Sequence, residues 1–215
     1  MIRIVIVDDH VLVRTGFEGI LAKEPDLEVI DQGASGEEAI RLARELKPDV
    51  MLMDVEMPGC SGLEATERIL KSQPEVGIVV LTAHVKPPLP ARMLEAGAGA
   101  YISKDCKAPE LIQAIRAVAR GDRYLAPEIA QQMALAVISG PSQNPFEALT
   151  TRELEVAMML AKGMRPSEIA SLINLSPKTV ATHKYKVYEK TSVSNEVELL
   201  KLALRHGLVS TEPRI

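Results

Sequence analysis

Short apolar runs alternate with longer amphipathic stretches through the first half of the chain. The apolar runs cover residues 2–7, 50–53 and 78–81, with weaker ones at 28–30 and 100–102. Runs this short and this continuous read as strands of a parallel sheet covered on both faces. The stretches between them are long enough for helices and carry start and stop signals. Ser35 and Glu38 have the spacing of a capping box, and Pro48 ends the stretch that follows. Pro109 suits a first helical turn, and Gly121 suits the position just past a helix end. The pattern predicts five β-α units over residues 1–121, an α/β fold with a doubly wound sheet.

Residues 122–147 change character. A further helix is expected over 126–138, and the turn formers from Ser139 to Pro145 then read as a flexible linker. From Leu149 onward strand signals vanish. Thr150 and Glu153 have capping-box spacing, and Gly163 closes that helix. A short helix is expected over 167–173, with Asn174 suited to a left-handed exit. Ser176 caps the next helix, with Pro177 at its first position, and this helix runs to about residue 190. The last helix covers 195–206 and stops at Gly207. Residues 148–215 therefore predict an all-α unit of four helices, the second and third joined by a tight turn.

Composition narrows the class. Apolar residues make up 47% and charged residues 25%, and there is no tryptophan. That is globular usage and excludes a collagen or a disulfide scaffold. No apolar run approaches the roughly 18 residues of a membrane span, and the N-terminal run meets Asp8 and Asp9 at once. A cytoplasmic protein without membrane contact is expected. Cys60 and Cys106 fit no metal spacing. The net charge of −4 splits into −7 over residues 1–147 and +3 over residues 148–215. The basic second part is a candidate for contact with a polyanion.

Three carboxylates fall at the C-terminal ends of expected strands: Asp8 and Asp9 after the first, Asp54 after the third. That edge is where doubly wound sheets bind ligands. Three like charges so close repel, and a divalent cation relieves the repulsion. Oxygen donors of this type suit Mg²⁺. Thr82 ends the fourth strand and Lys104 follows the fifth. A hydroxyl, an ammonium, a metal and a carboxylate nucleophile are the parts needed to make and hold an acyl phosphate. Taken alone, each residue has an ordinary reading as a helix cap, strand residue or solvated lysine; their common position at one edge favours the functional one.

The segments Val7-Asp8-Asp9-His10, Leu52-Met53-Asp54-Val55-Glu56-Met57-Pro58-Gly59, Leu81-Thr82-Ala83 and Ser103-Lys104-Asp105 resemble the receiver domain of bacterial two-component response regulators. The resemblance implies Asp54 as the phosphoacceptor from a histidine kinase. It implies Mg²⁺ held by Asp8, Asp9, Asp54 and the backbone carbonyl of Glu56. Lys104 would pair with the phosphoryl group, the Thr82 hydroxyl would move to it, and Tyr101 matches the switch aromatic. A core aromatic on the last strand explains Tyr101 equally well.

The helix expected after Ser176 carries four lysines and one acid in fifteen residues. Val180 and Val187 form its buried stripe, and Lys178, Thr182, Tyr185 and Lys186 share the opposite face. Such a helix reads either as a solvated amphipathic helix or as one that enters the major groove of double-stranded DNA, and the lysines alone are only a weak hint of the second. The wider segment, Leu149-Thr-Thr-Arg-Glu153, Gly163, Glu168-Ile-Ala170, Leu175-Ser176 and Thr179-Val180-x-x-His183, resembles the LuxR-type DNA-binding domain. Together the two parts resemble the NarL/FixJ class. Val13-Arg-Thr-Gly16, Gly62-Leu-Glu-Ala-Thr66 and Ala203-Leu-Arg-His-Gly207 look like the GacA/UvrY group within it. The resemblance implies DNA contacts by Lys178, Thr179, Thr182, His183, Lys184, Tyr185 and Lys186, and a homodimer when active. It also implies a sensor histidine kinase of the GacS/BarA type and transcriptional control of small regulatory RNA genes. The chain departs from frequent residues of the class at Ala181, Tyr185, Thr191 and Glu196.

Two rival readings are weaker. A phosphatase of the haloacid dehalogenase class needs a second Asp two residues after the nucleophile, where this chain has Glu56. A receiver acting only through protein contacts leaves the basic C-terminal helix unexplained.

Overall fold

The computed structural model describes residues 1–57, 59–83, 88–138 and 144–209. Pro58 and the turn-rich segment 139–143, expected as a linker, lie outside them. The chain divides into two compact units, with the division after Ala130.

The first unit holds a six-stranded parallel sheet in the order β2-β1-β3-β4-β5-β6. Its strands are β1 (Ile2–Val7), β2 (Leu27–Gly33), β3 (Val50–Asp54), β4 (Gly77–Thr82), β5 (Ala100–Ser103) and β6 (Tyr124–Leu125). The helices between them are α1 (Val11–Leu21), α2 (Gly36–Leu46), α3 (Gly62–Ser72), α4 (Leu89–Glu95) and α5 (Ala108–Ala119); α6 (Pro127–Ile138) follows the last strand and spans the division between the units. Every residue of β3 and all but the first of β4 are buried. Helices on both faces explain why those strands carry unbroken apolar runs.

Two differences from the sequence reading have physical causes. The strand β6 was not expected, because two residues are too few to show a pattern. The strand β2 extends beyond 28–30 through Asp31 and Gln32, which an edge strand tolerates. Local signals otherwise act as expected. The Ser35 Oγ accepts from the Glu38 N–H, and Ser61 does the same for Glu64 at the start of α3. Gly121 has φ +82° just past α5.

The second unit contains α7 (Thr151–Ala161), α8 (Pro166–Leu172), α9 (Pro177–Thr191) and α10 (Glu196–Arg205), preceded by a 3-10 turn at Pro145–Ala148. Its core gathers Phe146, Leu154, Leu160, Ile169, Val180, Val187 and Leu199. Thr150 and Glu153 complete the expected capping box, and Asn174 turns the chain between α8 and α9 at φ +52°. Glu153 is itself buried and receives Lys190 Nζ at 2.6 Å, which ties α9 to α7.

Candidate functional site

The sheet edge brings Asp8, Asp9 and Asp54 together. Asp54 closes β3, and Asp8 and Asp9 directly follow β1, its hydrogen-bonded neighbour. Asp8 is 1% and Asp54 2% exposed. With His10, one donor atom from each of these four residues lies within 4.8 Å of all the others. Lys104 Nζ stands between two of the carboxylates, 2.7 Å from Asp8 Oδ2 and 2.9 Å from Asp54 Oδ2. At these distances the ammonium makes charge-assisted contacts with both carboxylates. Burial pushes the Asp54 carboxyl up to about 6, with the negative Asp8 and Asp9 adding to the rise and Lys104 opposing it. Burial also works against the Lys104 ammonium, but its carboxylate neighbours win and its pKa is raised. Buried carboxylates of this spacing suit a hard divalent cation.

Thr82 and Tyr101 are both fully buried beside this cluster, at the end of β4 and within β5. Burial raises the Tyr101 phenol, and a hydrogen bond with Thr82 offsets part of that rise. Tyr101 is a core aromatic whose hydroxyl meets the hydroxyl at the strand end. The Lys104 N–H donates to the Thr82 carbonyl at 2.8 Å, fixing the lysine's loop to β4. Glu56 is half-buried, two residues past Asp54.

The spacing at Asp54 depends on residues that sequence reasoning missed. A Cβ on Gly62 would stand 1.8 Å from the Asp54 carbonyl oxygen, and one on Gly36 2.2 Å from the Cys60 carbonyl. The Glu37 carboxylate accepts from the Cys60 N–H at 3.0 Å. These contacts pack the starts of α2 and α3 against the loop after Asp54. Nothing local in the sequence marks them, because the partners are far apart along the chain.

In the second unit, α9 exposes Lys178, Thr182, Tyr185 and Lys186, with Tyr185 69% exposed. Val180 and Val187 are buried opposite. The other three expected contact residues, Thr179, His183 and Lys184, are half-buried. The Thr179 N–H donates to the capping Ser176 Oγ, which also lies 2.8 Å from the Thr179 Oγ1. Lys184 pairs with Glu196 on α10 and lies 5.4 Å from the Tyr188 ring centroid. His183 is half-buried, and burial lowers its pKa. Two residues that depart from the class are accounted for. The Thr191 hydroxyl donates to the Val187 carbonyl at 2.6 Å inside the core, and Glu196 holds Lys184.

Comparison with known proteins decides the family. Residues 4–116 match the response regulator receiver domain, and residues 147–203 match the bacterial regulatory proteins of the luxR family. The chain is 48% identical to the response regulator GacA of Pseudomonas aeruginosa over 97% of its length and 98% of the relative's. It belongs to the GacA/UvrY group of LuxR-type response regulators. It is 44% identical to the response regulator UvrY of Escherichia coli, over 99% of this chain and 98% of that one. Among solved structures it resembles the response regulator ChrA of a heme-sensing two-component system, with 31% identity and a TM-score of 0.55, covering 97% of this chain and 98% of that one. The GacA/UvrY-type chain is thus a DNA-binding regulator of transcription with a receiver and a LuxR-type helix-turn-helix. Among its described residues, no helix is long and apolar enough to cross a membrane.

Proposed function

We propose that this GacA/UvrY-type regulator is switched by phosphorylation of Asp54. The observation that carries the proposal is the buried edge cluster, in which Asp54 ends the strand between β1 and β4 and faces Asp8, Asp9 and Lys104. Asp8, Asp9 and Asp54 would hold Mg²⁺ through carboxylate oxygens, with the Glu56 carbonyl as a further ligand. The cation would neutralise charge on the phosphoryl oxygens. An Asp54 carboxylate oxygen attacks phosphorus, and the bond from phosphorus to the donor's leaving group breaks. Lys104 then passes from the carboxylates to a phosphoryl oxygen. Thr82, already hydrogen-bonded to Tyr101, swings toward the new group, and both changes alter the neighbouring surface.

Residues 1–121 form the receiving domain, 122–147 the connection and 148–215 the DNA-binding domain. The activated chain dimerises and places α9 of each copy in a half-site of double-stranded DNA. Thr182 and Tyr185 face base edges, and Lys178, Lys184 and Lys186 face phosphates. The phosphoryl donor is a sensor kinase of the GacS/BarA type, the location is cytoplasmic, and the targets are genes of small regulatory RNAs. Beyond acquiring and hydrolysing its own phosphate, the chain turns over no substrate. Acetyl phosphate with Mg²⁺ should add one acid- and base-labile phosphoryl group, read by intact mass. Undiminished labelling of Asp54→Ala would overturn the assignment.

A further inference from the structure

We propose that His10 is a fourth side-chain donor of the cation site and biases it toward nitrogen-preferring ions of the Co²⁺ and Ni²⁺ kind. The proposal rests on the cation-site reading above. His10 occupies the N-cap of α1 but makes no side-chain capping bond. That position normally favours Ser, Thr, Asp or Asn, whose oxygens satisfy the first-turn N–H groups. The imidazole turns instead toward the carboxylates. Its Nδ1 lies 2.7 Å from Asp9 Oδ1 and 3.2 Å from Asp8 Oδ1. The His10 N–H also donates to Asp8 Oδ1 at 2.8 Å, so the backbone holds the ring in register.

These spacings match a shared ion. Around an octahedral cation with bonds of about 2.1 Å, adjacent donors stand about 3.0 Å apart and opposite donors about 4.2 Å. The two nitrogen–oxygen separations straddle the first value. Donor atoms of all four residues lie no more than 4.8 Å from one another, a spread slightly wider than the second value. A neutral imidazole carries hydrogen on one nitrogen and a lone pair on the other. Without a cation, Nδ1–H donates to Asp8 Oδ1 and lies in charge contact with Asp9 Oδ1. Moving that hydrogen to Nε2, which the partly exposed ring can present to water, turns the Nδ1 lone pair on the ion. Carboxylate and water donors suit Mg²⁺ and Mn²⁺, whereas imidazole favours the later transition metals.

A ligand and a mere positioning donor differ in what they predict. The positioning donor would support every cation alike, and the ligand discriminates. Untagged full-length chain would be titrated calorimetrically with Mg²⁺ and with Co²⁺, for wild type, His10→Ala, His10→Asn and Asp9→Ala. The asparagine amide keeps an N–H donor near the Nδ1 position but is a poor nitrogen ligand. Both His10 variants should bind Co²⁺ about tenfold or more weakly, and Mg²⁺ within about threefold of wild type. Retained Mg²⁺ binding also shows that the variants are folded. Wild-type Co²⁺ affinity in His10→Ala or His10→Asn, or equal losses for both ions, would overturn the proposal. Should wild type bind neither ion, or Asp9→Ala bind Mg²⁺ normally, the cation site itself would fall and His10's role with it.

Discussion

Asp54 carries a charge in a place that resists it. Its carboxyl is raised to about 6 against an ordinary value of 3.8, chiefly by burial. A folded-state value above the unfolded one means stability is fullest below the unfolded value and is lost as pH rises through the folded one. The cost of ionised Asp54 therefore develops between about pH 4 and pH 6 and is complete above it. With EDTA present, Asp54→Asn should be more stable than wild type at pH 7.5, by roughly 3 kcal/mol on the scale of 1.4 kcal/mol per pKa unit. The gap should narrow at pH 5. Thermal melts at both pH values test this; a variant less stable than wild type at pH 7.5 would count against the strained carboxylate. Asp8, Asp9, Asp54, Thr82 and Lys104 were legible in the sequence because each sits at a strand end, and strand ends are marked by apolar runs. Gly36, Glu37 and Gly62 were not, since their meaning lies in atoms brought close only by folding.

At the scale of elements, local chemistry predicted most boundaries of the second unit. Thr150 with Glu153, Ser176 with Pro177, and Asn174 each act where their spacing placed them. Removing the Thr150 cap should cost about 1 kcal/mol, the usual value for a lost N-cap oxygen. Glu153→Ala should cost more, because the same carboxylate also holds Lys190 across to α7. Urea denaturation of both variants checks the order. Helical periodicity separated the buried Val180 and Val187 from the exposed face of α9. It does not reveal which of these positions a neighbouring helix engages, as Glu196 of α10 does Lys184. Lys186, which remains exposed, should behave differently from Tyr185. Lys186→Ala should weaken all DNA sites alike and reduce the salt slope by about one unit. Tyr185→Ala should change the selected consensus, since base contacts discriminate by roughly 1–3 kcal/mol. Site selection from a random pool separates the two roles.

At the scale of the whole molecule, an acidic signal-receiving unit and a basic helical unit share one chain, as the charge split of −7 and +3 foretold. The order of the motif segments along the chain made the receiver and the helix-turn-helix legible, and their pairing pointed to the GacA/UvrY group. Communication between the units is what no periodicity encodes, because it depends on which states phosphate favours. Thr82→Ala should accept phosphate from acetyl phosphate at wild-type stoichiometry while losing any gain in dimerisation, as read by sedimentation. Full dimerisation in that variant would remove Thr82 from the switch.

The most direct test is DNA affinity measured by footprinting on genomic fragments, with and without acetyl phosphate and Mg²⁺, for wild type and Asp54→Asn. Wild type should protect its sites at markedly lower concentration when phosphorylated, and Asp54→Asn should show no difference between the two conditions. An equal response of Asp54→Asn to acetyl phosphate, or wild-type protection that ignores it, would contradict a switch built on Asp54.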